Sequence, residues 1–218
     1  MTTISRSKND PALTGAASTS SEPDRDCPLC PRLAVFRKEA RAREPEWFNA
    51  PVPSFGAPDA QLLIVGLAPG LQGANRTGRP FTGDFAGDLL YATLLEYGFA
   101  QGAYHARPDD GLKLVGCRIS NAVRCVPPQN KPLPAEINTC RPFLSMTIAT
   151  MPGLRAIVAL GRIAHDSVLK ALSLRGSAAP FAHGATSSRR VTRGFLARAL
   201  AAPTSNSTAA RFTGPALA

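Results

Sequence analysis

The sequence predicts an α/β fold in which a parallel sheet is covered by helices on both faces. Two short, nearly continuous apolar runs, residues 61–67 (QLLIVGL) and 155–160 (RAIVAL), fit strands buried on both sides. Stretches with helical apolar spacing, residues 88–99 and 162–172, follow them, and strands alternating with helices imply a parallel sheet. Two long Gly/Pro-rich loops, starting at Ala68 and Val126, leave predicted strands. In such sheets the loops at the strands' carboxyl ends form the site.

Taken in order, residues 1–26 are polar and Ser/Thr/Pro-rich and read as a disordered leader with too little apolar content to fold. Residues 27–48, rich in Arg, Lys, Glu and Ala with Leu29, Leu33 and Phe36 near helical spacing, predict a surface helix. The first strand (61–67) runs into the loop 68–87, and the helix at 88–99 has Gly98 as its end signal. A second strand is expected over 114–123, then a Pro-rich loop over 126–134. A helix over 135–151 follows, with Pro134 suited to its first turn. The strand at 155–160 and the helix at 162–172 close the regular pattern.

At 218 residues the chain is most simply one domain with one sizeable core. No secretory h-region and no transmembrane-length apolar run is visible, so a cytoplasmic protein with no membrane partner is expected. The formal charge of +10 and pI near 10.0 make nucleic acid the leading macromolecular partner. Seven Lys/Arg and no Asp/Glu follow Asp166, so much of that imbalance belongs to the last quarter of the chain.

Four cysteines carry more information than the composition. Cys27 and Cys30 form a Cys-Pro-Leu-Cys run, and after a gap of roughly ninety residues come Cys125 and Cys140. Zinc sites usually close a local loop with two short Cys pairs. Widely separated thiolates converging on one site suit an iron–sulfur cluster, which takes four Cys and staples distant parts of a fold. Cys117 lies in an apolar-alternating stretch and reads as a small packing hydrophobe.

The first loop, GLAPGLQGANRTGRPFTGDFAGDLLY (66–91), lacks the Gly-Lys-Ser/Thr ending of a P-loop and the Gly-x-Gly-x-x-Gly spacing of dinucleotide sites. Together with the second loop, SNAVRCVPPQNKPLPAEINTCRPFL (120–144), the Cys-Pro-Leu-Cys run and VALGRIAHDSVL (158–169), it closely resembles the iron–sulfur uracil-DNA glycosylases, most closely their type 5 branch. The likeness runs from about Cys27 to about Ala185. It implies a single-domain α/β/α sandwich with a central, mostly parallel four-stranded sheet, and a [4Fe–4S] cluster on Cys27, Cys30, Cys125 and Cys140. It also implies a monomer that removes uracil, and further deaminated bases, from DNA in base-excision repair, in the nucleoid-associated cytoplasm.

By the same resemblance Phe81 stacks the extruded base and Asn121 reads its Watson–Crick edge, as a glycosylase requires. Backbone N–H groups from Gly66 through Ala68 to Gly70 would bind the base oxygens. Relatives carry a polar or acidic residue early in the Gly-x-x-Pro-Gly motif, where this chain has Leu67 and Ala68. Asp84 matches the carboxylate used instead in the type 5 branch, where it orients water or stabilises an oxocarbenium-like sugar. An N-cap role for Asp84 is the competing expectation, with Asp88 the better cap by position. His105 and Asp109-Asp110 read as a solvated polar turn, and His165 as a structural residue inside a helix.

The chain departs from the family after Ala185. Only a trace of the family's last His-bearing motif survives if Asn206, Arg211 and Thr213 are aligned with it; the His then falls on Ala201 and Pro203 takes a Ser place. From Thr186 the sequence is Arg/Ala/Ser/Thr-rich without acids or a recognisable strand. Divergence and a reading-frame change both remain open for residues 186–218. The alternative to a working glycosylase is a catalytically impaired iron–sulfur DNA-binding protein, because that His would donate to the base oxygen as charge develops there.

Overall fold

In chain order the computed structural model, which describes residues 20–191 and 195–201, runs α1 (Pro31–Arg43), β1 (Leu62–Gly66), α2 (Ala74–Thr77), α3 (Phe85–Glu96), β2 (Ala100–Gln101), β3 (Lys113–Leu114), β4 (Cys117–Asn121), α4 (Pro134–Ala149), β5 (Ala156–Ala159), α5 (Arg162–Ala171), β6 (Thr186–Val191) and β7 (Phe195–Ala201). The main sheet has the order β4-β1-β5-β7-β6. β1 is parallel to β4 and to β5, β7 adds parallel to β5, and β6 returns antiparallel at the edge. The sheet therefore has five strands where four were expected. β2 and β3 form a separate antiparallel pair.

Side chains alternate across β1 and sort the core into two layers. Leu63 and Val65 join Ile157 and Ala159 of β5 against Leu144 of α4 and Ala164 and Val168 of α5. Ile64 faces the other way, with Ile119 and Cys117 of β4 against Tyr91 and Leu94 of α3. Both faces are covered, as continuous apolar strands require. Cys117 packs as expected, and burial pushes its thiol up to about 12. No helix among the described residues is long and apolar enough to cross a membrane.

Local chemistry sets the element ends. α3 begins at Phe85 rather than 88 because Asp84 is its N-cap, accepting a hydrogen bond from Gly87 N at 2.7 Å; Asp88 lies in the first turn. It ends where expected, with Gly98 at φ +74 and Phe99 N–H donating to the Leu94 carbonyl. The second strand is split by Gly116 at φ +60 into β3 and β4. Pro134 opens α4, and Glu136 accepts from Leu133 N at 2.7 Å. The helix expected over 27–48 is confined to α1.

Two expectations are corrected. Residues 20–26 do not belong to a disordered leader, since Glu22 accepts hydrogen bonds from Arg124 Nη1 (2.7 Å) and Ser54 N (3.2 Å) and pairs with Arg118 (3.4 Å). Composition predicts disorder from missing apolar burial, and here charge rather than apolar area makes the attachment. The Arg/Ala/Ser/Thr-rich stretch after Ala185 does contain strands: Thr186↔Leu200 and Val191↔Phe195 pair β6 with β7, and Ala159↔Ala201 docks β7 on β5. Backbone groups at an open sheet edge accept a partner with little regard to composition. Pro203, Asn206, Arg211 and Thr213 lie outside the described residues, as do residues 1–19 of the leader.

Candidate active site

Gly66 and Asn121 end neighbouring parallel strands and are register partners. The ladder continues beyond them, with Ala122 N donating to Gly66 O (2.9 Å) and Val123 N to Leu67 O (3.0 Å). Asn121 is buried, and its Oδ1 has no hydrogen-bond partner. Leaving such an oxygen unpaired is unfavourable, so its position awaits a donor. A Cβ on Gly66 would lie 2.5 Å from that oxygen and 2.4 Å from Phe81 Cζ, so the aromatic ring and the carboxamide meet across a bare α-carbon. Sequence reasoning named Gly66, Phe81 and Asn121, and the fold brings all three together.

Phe81 stands at φ +55, a region bulky L-residues rarely adopt. Its carbonyl accepts from Tyr104 Oη (3.3 Å), and a Cβ on Gly87 would lie 1.9 Å from it, so the first turn of α3 abuts the Phe81 backbone. Asp84 is exposed. Its Oδ1 is the α3 cap, while its Oδ2 faces the first loop, 3.8 Å from a Cβ built on Gly70. The cap and the carboxylate are thus one residue: capping fixes the side chain and leaves the second oxygen directed at the loop 66–70.

Arg79, quoted in the sequence only as a neighbour of Phe81, is buried and bidentate to Asp110 (2.8 and 2.7 Å). Asp110 is not the solvated turn residue the sequence predicts; its side chain has no exposure. The Arg79 guanidinium, followed by the His105 and Leu112 N–H groups, holds the Asp110 carboxyl well below the usual carboxylate range against the opposing effect of burial. His105 contributes its backbone, and His165 is buried in α5 edge-on to Phe181.

Cys27, Cys30, Cys125 and Cys140 line one partly solvent-open pocket, backed by Leu33, Val123 and Phe143. α1 and α4 bring them there: Cys30 caps α1, Cys140 lies on α4, and Arg32 joins the helices through a bidentate pair with Glu136 (2.8 and 2.7 Å). Among the described residues no group of three or more His, Cys, Asp or Glu closes on a single metal ion as placed. Burial, then the neighbouring Cys140, pushes the Cys30 thiol up to about 11, and burial pushes Cys125 up to about 12. Thiols shielded from water in this way stay protonated unless a positive centre stabilises the thiolates. Two donors already point at sulfur: Arg37 Nη1 at Cys125 Sγ and Arg124 N at Cys140 Sγ, both 3.3 Å. A four-thiol pocket, with Cys125 and Cys140 buried and N–H groups aimed at their sulfurs, has the donor set an iron–sulfur cluster takes. Ala68 packs against this wall, so the first loop touches both the Asn121 region and the thiol pocket.

Residues 53–210 match the family model "Uracil DNA glycosylase superfamily". A type-5 uracil-DNA glycosylase of Thermus thermophilus is 47% identical over 165 residues, covering 73% of this chain and 74% of that protein. One of Mycobacterium tuberculosis is 44% identical over 167 residues, covering 72% and 62%. A type-4 uracil-DNA glycosylase of Sulfurisphaera tokodaii is 38% identical over 113 residues, covering 51% and 44%. With a match spanning most of the chain and relatives sharing up to 47% of the aligned residues, the chain belongs to the uracil DNA glycosylase superfamily.

Proposed function

We propose that the protein is a monofunctional uracil-DNA glycosylase of the type-5 kind, acting in base-excision repair. The observation that carries this is the buried, unpartnered Asn121 Oδ1 beside the Phe81 ring. Uracil presents an N–H donor next to a carbonyl acceptor on its Watson–Crick edge, and a carboxamide complements that pair with its oxygen and its NH₂. Cytosine presents the reverse order and would leave the buried oxygen facing an acceptor, which a site of this kind rejects strongly. Phe81 supplies the plane on which an extruded base stacks, and the backbone N–H groups of Gly66, Ala68 and Gly70 serve its oxygens.

The reaction adds water across the bond between the sugar C1′ and the base nitrogen, giving free uracil and an abasic site. Asp84, one oxygen fixed by Gly87 N, uses the other to orient the water and to offset positive charge growing on the sugar. Cys27, Cys30, Cys125 and Cys140 would hold a [4Fe–4S] cluster, which supplies structural cross-linking and no step of the hydrolysis. The chain's positive charge suits a phosphate-lined partner, and the protein works as a monomer in the nucleoid-associated cytoplasm. A second reading, a DNA-binding protein with impaired cleavage, draws on Ala201, on which the family's late His falls if Asn206, Arg211 and Thr213 are aligned with its last motif.

The test is release of uracil from an oligonucleotide with one deoxyuridine, read as strand scission at the abasic site after alkali. Scission that needs both the deoxyuridine and Asn121 supports the activity. Tight DNA binding with no abasic site formed supports the second reading instead.

A further inference from the structure

The Arg79 side chain is only 4% exposed, and its guanidinium lies over three aromatic rings: Tyr91 at 5.2 Å, Tyr104 at 5.4 Å and Phe55 at 5.5 Å. Its two terminal nitrogens grip Asp110, whose oxygens also accept from His105 N (2.9 Å) and Leu112 N (3.1 Å). A cation enclosed by rings and closed by a bidentate carboxylate is desolvated but fully paired, an arrangement with one geometry and little freedom.

What this buried pair holds is the segment that carries the base-stacking ring. Arg79 Nε donates to Thr82 Oγ1 (3.2 Å), and Thr82 Oγ1 donates back to the Arg79 carbonyl (2.8 Å), closing the turn on both sides of Phe81. The caging rings take part as well: Tyr91 Oη donates to the Pro80 carbonyl (2.7 Å) and Tyr104 Oη to the Phe81 carbonyl (3.3 Å). Every backbone carbonyl from Arg79 to Phe81 therefore accepts a bond from Thr82 or from a ring that faces the guanidinium. Asp84 is three residues from Phe81 and shares Gly87 with it, so a shift of the turn moves the carboxylate too.

We propose that Arg79, paired with Asp110 inside the cage of Phe55, Tyr91 and Tyr104, is the positioning residue that holds the Phe81 ring and the Asp84 carboxylate in working register. This rests on the glycosylase activity proposed above. The pair transmits the fold of the 105–112 loop into the base pocket, although neither member needs to touch the base. Arg79 acts through Phe81 and Asp84, and it is the fork rather than the charge that matters, because only a fork fixes rotation of the turn.

Three substitutions of graded severity test it: Arg79→Lys, which keeps the charge and loses the fork; Asp110→Asn; and Tyr104→Phe, which keeps the ring and removes the hydroxyl that bonds the Phe81 carbonyl and the Gly83 backbone. Each is assayed for single-turnover uracil release, and for affinity toward undamaged duplex. Affinity is also measured toward a duplex carrying 2′-fluorodeoxyuridine, whose glycosidic bond resists cleavage. Since an ångström of misplacement costs about 10²-fold in rate, Arg79→Lys and Asp110→Asn should slow release by about that factor, and Tyr104→Phe by less. Preference for the fluorinated duplex should fall in the same order, with undamaged-duplex affinity unchanged. A purely structural role would lower Tm and leave release at 25 °C and that preference intact. Tyr104→Phe keeps the test decisive if the charged variants do not fold. Wild-type release rates and preference in the folded variants overturn the role of Arg79 alone. Absence of release by the unaltered chain overturns the glycosylase activity, and the positioning role with it.

Discussion

Adding a single methyl group at Gly66 should disable the site from its centre. The Cβ of Gly66→Ala would fall 2.4 Å from Phe81 Cζ, 2.6 Å from Phe81 Cε2 and 2.5 Å from Asn121 Oδ1. Carbon atoms rest best at ~3.5–4.0 Å, so one neighbour must retreat by about 1 Å. Asn121 is held by the β1–β4 ladder, and the Phe81 backbone by Tyr104 and the start of α3, so neither retreats freely. Overpacking of this kind costs ~1–3 kcal/mol of stability, at ~2–4 °C of Tm per kcal/mol for a chain of this size. Misplacing the stacking plane by about 1 Å costs ~10²-fold in rate. Single-turnover uracil release should therefore fall by about two orders of magnitude while Tm drops by several degrees. Gly70→Ala, whose methyl would meet Asp84 Oδ2 at an ordinary 3.8 Å, should retain most of the rate. A Gly66→Ala protein with the unaltered release rate would refute the closure of ring and amide around this glycine.

Asn121→Ala should cost roughly 1–3 kcal/mol of discrimination between uracil-containing and undamaged duplex, measured as a ratio of Kd values; equal loss on both would mark Asn121 as structural. Asp84→Asn keeps an acceptor for Gly87 N, and Asn caps helices as well as Asp does, so Tm should barely move while uracil release is almost abolished. Protein purified without oxygen should be brown with about four irons per chain; Cys125→Ser should bleach it and Cys117→Ser should not, and a colourless preparation with one zinc sinks the cluster. Ala201→His, at the carboxyl end of β7, should raise the rate by up to ~10²-fold if a donor to the base oxygen is what this chain lacks, with DNA affinity unchanged.

Much of this architecture was legible because its signals are local. The runs 61–67 and 155–160 announce β1 and β5 through unbroken apolar composition, and Gly98 announces the end of α3. Gly66, Phe81, Asp84 and Asn121 were legible only because whole loops resemble a family. Apolar spacing says nothing of a carboxamide left without a partner. What escaped is non-local. Asp110 looks solvated until Arg79, 31 residues earlier in the chain, takes its charge. Glu22 looks disordered until Arg124, 102 residues later, does the same. β7 escaped for another reason: a strand that completes an open sheet edge is specified by the edge as much as by itself. Asp84 shows the limit of choosing one role per residue, since capping and facing the first loop occupy different oxygens of one carboxylate.

The Glu22–Arg124 attachment also sets an order of events during synthesis. Glu22, Cys27 and Cys30 are made early, but the arginine and the two cysteines they meet come about a hundred residues later. Contacts of such long sequence separation close after local helices have formed. The leading segment must therefore wait, thiols open, until β4 and α4 have been made. Arg124 is fully buried in the finished protein, where burial pulls its proton affinity down and Glu22 offsets that effect. A shortened version beginning at the Cys-Pro-Leu-Cys run would keep all four thiols yet strand this guanidinium without its carboxylate. Such a chain should fold more slowly and capture metal less completely than its cysteine content suggests.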